Sequence, residues 1–230
     1  MTTFDEVRAV VRDIYIHGPL VPRTIQRLRP YICPFEALVD AIPTGSTVLD
    51  VGCGAGLFLG LLVKLDHIAS GYGFDVSHQS IDLANMMKLK LPKHTPVLFE
   101  QRSTDAPWPA GMFDVISMID VMHHIHPAQQ ADVFSYVVAK LRPGGIFVYK
   151  DMVQRPLWRA WANRLHDLIL AKQWIHYLPL DIVENLAAEA GLRLITKSSE
   201  NRLWYGHELA VFQLDLESTA GADTNRGVQK

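Results

Sequence analysis

The sequence predicts an α/β fold: a mainly parallel sheet with helices on both faces. Three observations carry that reading. Between residues 46 and 152, short apolar runs of strand length alternate with stretches of helical period, the pattern of repeated β-α units. The first run, STVLDV, leads into a glycine-rich turn, GCGAG, and then into LFLGLLVKL, so the turn joins a strand to a helix. The 230 residues, 49% hydrophobic and 20% charged, suit one such domain with additions.

Residues 1–44 precede the alternation and read as an N-terminal helical cap. In FDEVRAVVRDIYIHG, Phe4, Val7, Val10, Val11 and Ile14 recur at helical spacing, and Gly18-Pro19 ends the helix. RTIQRLRPYICPFEALVDAIP reads as one or two short helices broken at Pro30 and Pro34. The core spans 45–216. A buried strand covers Thr47–Val51, a helix covers Leu57–Leu65, and a second strand ends at Asp75. Ser77 caps a helix over SHQSIDLANMMKLK. PVLFEQ is a strand, and another runs from Phe113 to Ile119. Pro127 starts a helix at a favoured first-turn position. RPGG reads as a turn before the strand IFVYKDM. The pattern then changes: RPLWRAWANRLHDLILAKQWIHYLP reads as a long aromatic helix over residues 154–178. LDIVENLAAEAG is a helix with Gly191 at its C-terminal end. LRLITKSS and YGHELAVFQLDL are two closing strands, a hairpin at the sheet edge. The tail, 217–230, is small and polar and is expected to be disordered.

Bulk properties narrow the function. A net charge of −2 gives no global basic excess, so nucleic acid is not an expected partner. The two cysteines, Cys33 and Cys53, share no metal-ligand spacing and point to a reducing, cytoplasmic setting. The first residues are charged and amphipathic, unlike a secretory signal. No stretch reaches the roughly 18–20 apolar residues that span a bilayer.

Gly52, Gly54 and Gly56 form G-x-G-x-G, a turn in which the backbone can approach a ligand with no side chain between. The dinucleotide fingerprint is G-x-G-x-x-G; here the third glycine comes one residue early. Asp50 stands two residues before the first glycine. A carboxylate there would repel a pyrophosphate and would suit a cationic ligand without phosphate, as S-adenosylmethionine is. These two features argue against a nicotinamide-dependent oxidoreductase. Asp75 ends the second strand, where an acid can accept both ribose hydroxyls. Asp105 follows the third strand, where it can accept from an adenine amine. Cys53 is read as a small filler of the loop, and Gly56 either lines the ligand or permits close packing of helix on strand.

In this order and spacing, VLDVGCGAG, GFDVS, STDAPWPAGMFDVI and LRPGGIFV resemble the class I S-adenosylmethionine-dependent methyltransferases, over about residues 45–150. The resemblance implies a Rossmann-like seven-stranded sheet of order 3-2-1-4-5-7-6 with strand 7 antiparallel. It implies that residues 52–56, Cys53 included, wrap the amino-acid part of the cofactor. It places Asp75, with Val76 beside it, on the ribose and Asp105 with Ala106 on the adenine. Ile119 and Asp120 would lie near the site of methyl transfer, and S-adenosylhomocysteine would be the product.

Methyl transfer is an in-line displacement, so the acceptor must be held against the methyl carbon. A hydroxyl acceptor must also lose its proton. IDVMHHIHP follows the fourth strand with Asp120, His123, His124 and His126, three of the ten histidines. The stretch resembles the E-x-x-E-H region of ubiquinone-pathway O-methyltransferases, with His123 in place of the second acid; no metal site is assigned. Asp120, His123 and His124 are the candidate catalytic residues, with either histidine able to act as base near neutral pH. In the aromatic helix, Trp158 and Trp161 lie on one helical stripe; with His166 and Tyr177 they are candidate acceptor contacts. An aromatic lid suits a small apolar, aromatic or lipid-like acceptor, free or carrier-bound. Its basic flank, Arg155, Arg159, Arg164 and Lys172, could meet an acyl-carrier protein or an anionic membrane surface. O-methylation is the leading expectation. An RNA or protein methyltransferase, or a non-catalytic cofactor-binding protein of the same fold, is the alternative. The Asn/Asp-Pro-Pro-aromatic motif of base amino-methylating enzymes is absent from IDVMHH.

Overall fold

A computed structural model describes residues 1–152, 178–203 and 205–216. Its helices are α1 (Phe4–Ile14), α2 (Leu20–Ile32), α3 (Phe35–Asp40), α4 (Leu57–Lys64), α5 (His78–Lys88), α6 (Pro127–Lys140) and α7 (Leu180–Glu189). The strands are β1 (Ser46–Val51), β2 (Ile68–Asp75), β3 (Val97–Gln101), β4 (Phe113–Ile119), β5 (Leu141–Met152), β6 (Leu192–Arg202) and β7 (Tyr205–Leu214). They form a seven-stranded sheet of order β3-β2-β1-β4-β5-β7-β6. β7 runs antiparallel to β5 and β6, and the remaining pairs are parallel. The α/β class, the strand order and the closing hairpin are those expected.

β1 and β4 are central because they are apolar on both sides. Val48, Leu49, Val51, Val115, Ile116 and Met118 are all buried, the run-like signature of a strand covered on both faces. One face packs Leu59 and Leu61 of α4 with Leu83 and Met87 of α5; the other packs Val133, Phe134 and Val137 of α6 with Val183 of α7. The N-terminal helices share the first core: Val7, Val11, Ile14 and Tyr15 pack there with Leu38 and Val39. α1 starts with a reciprocal capping box between Thr3 and Glu6. β1 lies between β2, which follows it in the chain, and β4. The chain order therefore reverses direction at β1, and the crevice at the C-terminal ends of these strands is where open α/β sheets bind ligands.

Two expectations are corrected. α2 does not break at Pro30; it runs on to Ile32, and Pro34 instead precedes α3. Proline removes one helix hydrogen bond, and so near the end of the helix that loss is small; the Cys33 amide still closes on Arg29 O at 2.9 Å. RPGG is not a turn before the strand but a bulge within it. β5 pairs Leu141 with Phe113, slips register, and resumes with Ile146 opposite Val115. Gly144, with φ of 76°, takes up the kink. The expected aromatic helix, except Leu178, and the tail 217–230 lie outside the described residues.

Candidate active site

The glycine loop sits at the crevice between β1, β2 and β4. Gly52, Gly54 and Gly56 have φ of 68°, 53° and 78°, the left-handed region that disfavours side chains. Their surroundings differ. A Cβ on Gly52 would collide with Val121, and one on Gly56 would meet Phe99 and Met87 at 2.7 and 3.0 Å, whereas one on Gly54 would meet nothing within 4 Å. Gly52 and Gly56 thus allow close packing, and Gly54 is where the backbone lies open. Cys53 is buried against Gly73. Burial pushes its thiol far up, which agrees with a filler and not a nucleophile.

Two anchors hold the loop. Asp75, at the end of β2, accepts from the Gly54 amide at 2.9 Å and from the Ser77 amide at 2.8 Å, one bond to each carboxylate oxygen. The Tyr15 hydroxyl, fully buried, donates to Ala55 O at 2.7 Å. Each Asp75 oxygen keeps a further lone pair for a ribose hydroxyl. Val76, beside it, is 65% exposed. Asp105 is exposed and Ala106 half-buried in the turn after β3. That turn is tied down by Trp108, whose indole N–H donates to Thr104 O at 3.0 Å and whose ring meets Phe74 of β2 edge-on.

Asp50 is buried and accepts from the Ser117 hydroxyl at 2.7 Å. Burial pushes its carboxyl up to about 7, with the Ser117 bond opposing and the Asp75 charge adding. A cation in the crevice would restore its charge.

At the end of β4, Ile119 is partly buried and Asp120 has φ of 58°. Asp120 Oδ1 lies 2.6 Å from Lys150 Nζ, and Oδ2 lies 3.1 Å from Arg29 Nη2. Burial would raise its carboxyl, but Lys150 and Arg29 outweigh that and hold it well below the usual carboxylate range. Lys150 is fully buried. So occupied, Asp120 is a poor proton acceptor; its geometry is that of a charge anchor between α2 and β5.

Met122–His124 form a short 3-10 turn. His123 is buried, and its Nδ1 lies 2.5 Å from Asp151 Oδ1. Asp151 also accepts from the His123 amide at 3.3 Å, the Met152 amide at 2.7 Å and the Tyr149 hydroxyl at 3.4 Å. His124 is exposed, its ring 4.1 Å from that of His123. The imidazole of His126 accepts from the Ala128 amide at the start of α6. Trp158, Trp161, His166 and Tyr177 lie outside the described residues.

Sequence reading missed Asp151, Lys150 and Arg29. Lys150 and Asp151 interrupt an otherwise apolar strand, IFVYKDM, and adjacent charges inside a buried strand are a signal in themselves. Only the pairing of Ile119 with Lys150 across β4 and β5 shows whom they face. Arg23, near the Gly18-Pro19 break, donates to Ile16 O at 2.6 Å.

Among the described residues, no helix is long and apolar enough to cross a membrane. The profile of the family described as "Methyltransferase domain" matches residues 22–197. A 2-methyl-6-phytyl-1,4-hydroquinone methyltransferase from Synechocystis is 32% identical over 143 residues, 60% of this chain and 43% of that one. A fatty-acid O-methyltransferase from Mycolicibacterium smegmatis is 32% identical over 127 residues, 54% and 43% of the two chains. Transfer-RNA methyltransferases also occur among the relatives. The chain spans about half the length of the curated relatives it matches. In structure, the magnesium protoporphyrin IX methyltransferase of Synechocystis, solved with bound S-adenosylhomocysteine, superposes with a TM-score of 0.65 at 16% identity, over 92% of this chain and 94% of that one. The chain belongs to the methyltransferase-domain family, and its sheet is that of the class I S-adenosylmethionine-dependent methyltransferases.

Proposed function

We propose that this protein transfers the methyl group of S-adenosylmethionine to an oxygen of a small apolar, aromatic or lipid-like molecule. The observation that carries the oxygen assignment is the buried His123–Asp151 pair at the C-terminal ends of β4 and β5. It adjoins the glycine loop, because Gly52 packs on Val121, two residues before His123.

The cofactor, when bound, supplies an electrophilic methyl carbon on a sulfonium. The residues suit it: an open backbone at Gly54, the Asp75 carboxylate for the ribose, and the buried acid Asp50 for positive charge. Within that cradle, Gly52, Cys53, Gly54 and Gly56 shape the loop, and Val76, Asp105, Ala106 and Ile119 complete the walls. Asp151 accepts from Nδ1–H of His123, a tautomer that puts the ring's lone pair on Nε2, the nitrogen that would take a proton from the acceptor hydroxyl. Of the two candidate histidines, this reading takes His123 as the base in preference to His124. Asp120 positions α2 and β5. Trp158, Trp161, His166 and Tyr177 stay assigned to the acceptor, within a lid at residues 154–178 of a core that follows a helical cap.

The relatives named for a hydroquinone and a fatty acid support an apolar acceptor. Incubation of the protein with S-adenosylmethionine and a panel of apolar phenols, hydroquinones and fatty acids tests the reading. A methyl ether, formed with S-adenosylhomocysteine and lost in His123→Gln, is expected from the hydroxyl acceptors, and a methyl ester from the fatty acids, whose carboxylates need no base. Methylation only on nitrogen or carbon, or only of transfer RNA, overturns it.

A further inference from the structure

The outer face of α2 carries four exposed apolar side chains, Leu20, Val21, Ile25 and Leu28. At 3.6 residues per turn these fall on one broad arc. The helix, LVPRTIQRLRPYI, holds Arg23, Arg27 and Arg29 and no acidic residue. Arg29 turns inward to Asp120. Arg27 instead joins Arg8, Arg12, Leu28 and Tyr31 around a cavity of about 300 Å³ between α1 and α2.

The guanidinium donors there exceed their acceptors. Arg8 pairs with Asp5 at 3.3 Å, Arg23 donates to Ile16 O, and Arg27 donates to Arg12 O at 3.4 Å. The Nε atoms of Arg8, Arg23 and Arg27 are buried with no partner among the described residues. The nearby Asp13 is engaged by Lys64. Exposed Arg12 and half-buried Arg8, Arg23 and Arg27, beside uncovered aliphatic side chains, match phosphate beside hydrocarbon.

We infer that α1 and α2 form a docking surface for an anionic phospholipid bilayer. Leu20, Val21, Ile25 and Leu28 enter the boundary between headgroups and acyl chains, and Arg8, Arg12, Arg23 and Arg27 take the lipid phosphates. An acidic protein would satisfy the arginines but gives no reason for an apolar arc that runs from the first turn of α2 to Leu28. The surface is separate from the histidine pair and the glycine loop, so it stands whatever the acceptor is.

The test is sedimentation of the full chain with phosphatidylcholine vesicles, with and without phosphatidylglycerol, at low and high salt. Binding only to the anionic vesicles, weakened by salt, is expected. Arg12→Gln/Arg27→Gln should lower the partition roughly thirtyfold, from about fivefold per arginine near an anionic surface. Val21→Ser/Leu28→Ser alters only exposed positions and should also lower it; this second variant keeps the test decisive if the first fails to fold. A retained thermal shift with S-adenosylhomocysteine reports an intact core in each. Equal binding to neutral vesicles, no binding to either, or anionic binding unchanged in the folded variants overturns the inference; the last would place the contact elsewhere, for instance in 153–177. Saturable binding of glycerol phosphate, or capture of an acyl-carrier protein, without vesicle binding also overturns it.

Discussion

His123 and Asp151 meet at 2.5 Å, Nδ1 to Oδ1, with both side chains nearly sealed from solvent. His123 lies in the turn that follows β4 and Asp151 near the end of β5, 28 residues apart in sequence. A carboxylate on one imidazole nitrogen fixes the tautomer, and so decides which nitrogen can take a proton.

Asp151→Asn should therefore slow turnover by about 10²–10⁴-fold, the range typical of general-base catalysis. KM for S-adenosylmethionine should hold, and the acid limb of the pH–rate profile should move. His124→Gln should change turnover far less than His123→Gln. Steady-state kinetics on the three variants check this; an equal loss at His124 would return the base to that residue.

Asp50 gives a prediction of opposite signs. Its folded carboxyl titrates near 7 against an ordinary 3.8. A raised folded value favours the native state below the ordinary value, and that contribution is lost as pH climbs toward 7. Asp50→Asn should then stabilise the free protein at pH 8 by at least about 1 kcal/mol, a rise in Tm of roughly 2–4 °C. The same variant should weaken S-adenosylmethionine binding, and wild-type affinity should rise between pH 6 and about 8 as the carboxyl ionises. Thermal melts and calorimetric titrations across that range decide it.

The ion triad at Arg29, Asp120 and Lys150 predicts a stability loss. Asp120→Asn leaves a fully buried ammonium without its countercharge, which should cost about 3–5 kcal/mol. Because the folded carboxyl of Asp120 is depressed, its contribution is whole above the ordinary 3.8 and falls away as pH drops below it. Urea unfolding at pH 7 and pH 3 should show the gap between wild type and variant narrowing at the lower pH without closing, because the folded carboxyl is still ionised there.

The three glycines should separate. Gly56→Ala drives a methyl against Phe99 and Met87, so it should lower Tm with cofactor affinity following only through the fold. Gly54→Ala meets open space; with a strained φ it should cost about 1 kcal/mol of stability and a disproportionate share of S-adenosylhomocysteine binding. Asp75→Ala removes the acceptor of two amides and with it the proposed ribose acceptor, and should weaken that binding by at least about tenfold.

Much of this was legible in the chain. Asp75 could be read because its place depends on local order: an acid at the end of the strand after a glycine turn. β1, β4 and the α5 cap at Ser77 were equally local. The His123–Asp151 pair and the Arg29–Asp120–Lys150 triad were not, since each joins side chains brought together only when β4 and β5 align and α2 folds back. Asp120 shows the difference well. As a residue after the fourth strand it looked like a catalytic acid or base, and only its two cationic neighbours reveal that its charge is already spent.

The hydroxyl of Tyr15 closes on Ala55 across 40 residues of sequence, and this couples the end of the first helix to the glycine turn proposed to cradle the ligand. Amide exchange in α1 should therefore slow when S-adenosylhomocysteine binds, because opening the helix would also open the turn. Linked in this way, the two should open together, and a substitution such as Val7→Ala, buried on α1, should be felt as weaker ligand binding before it is seen as unfolding.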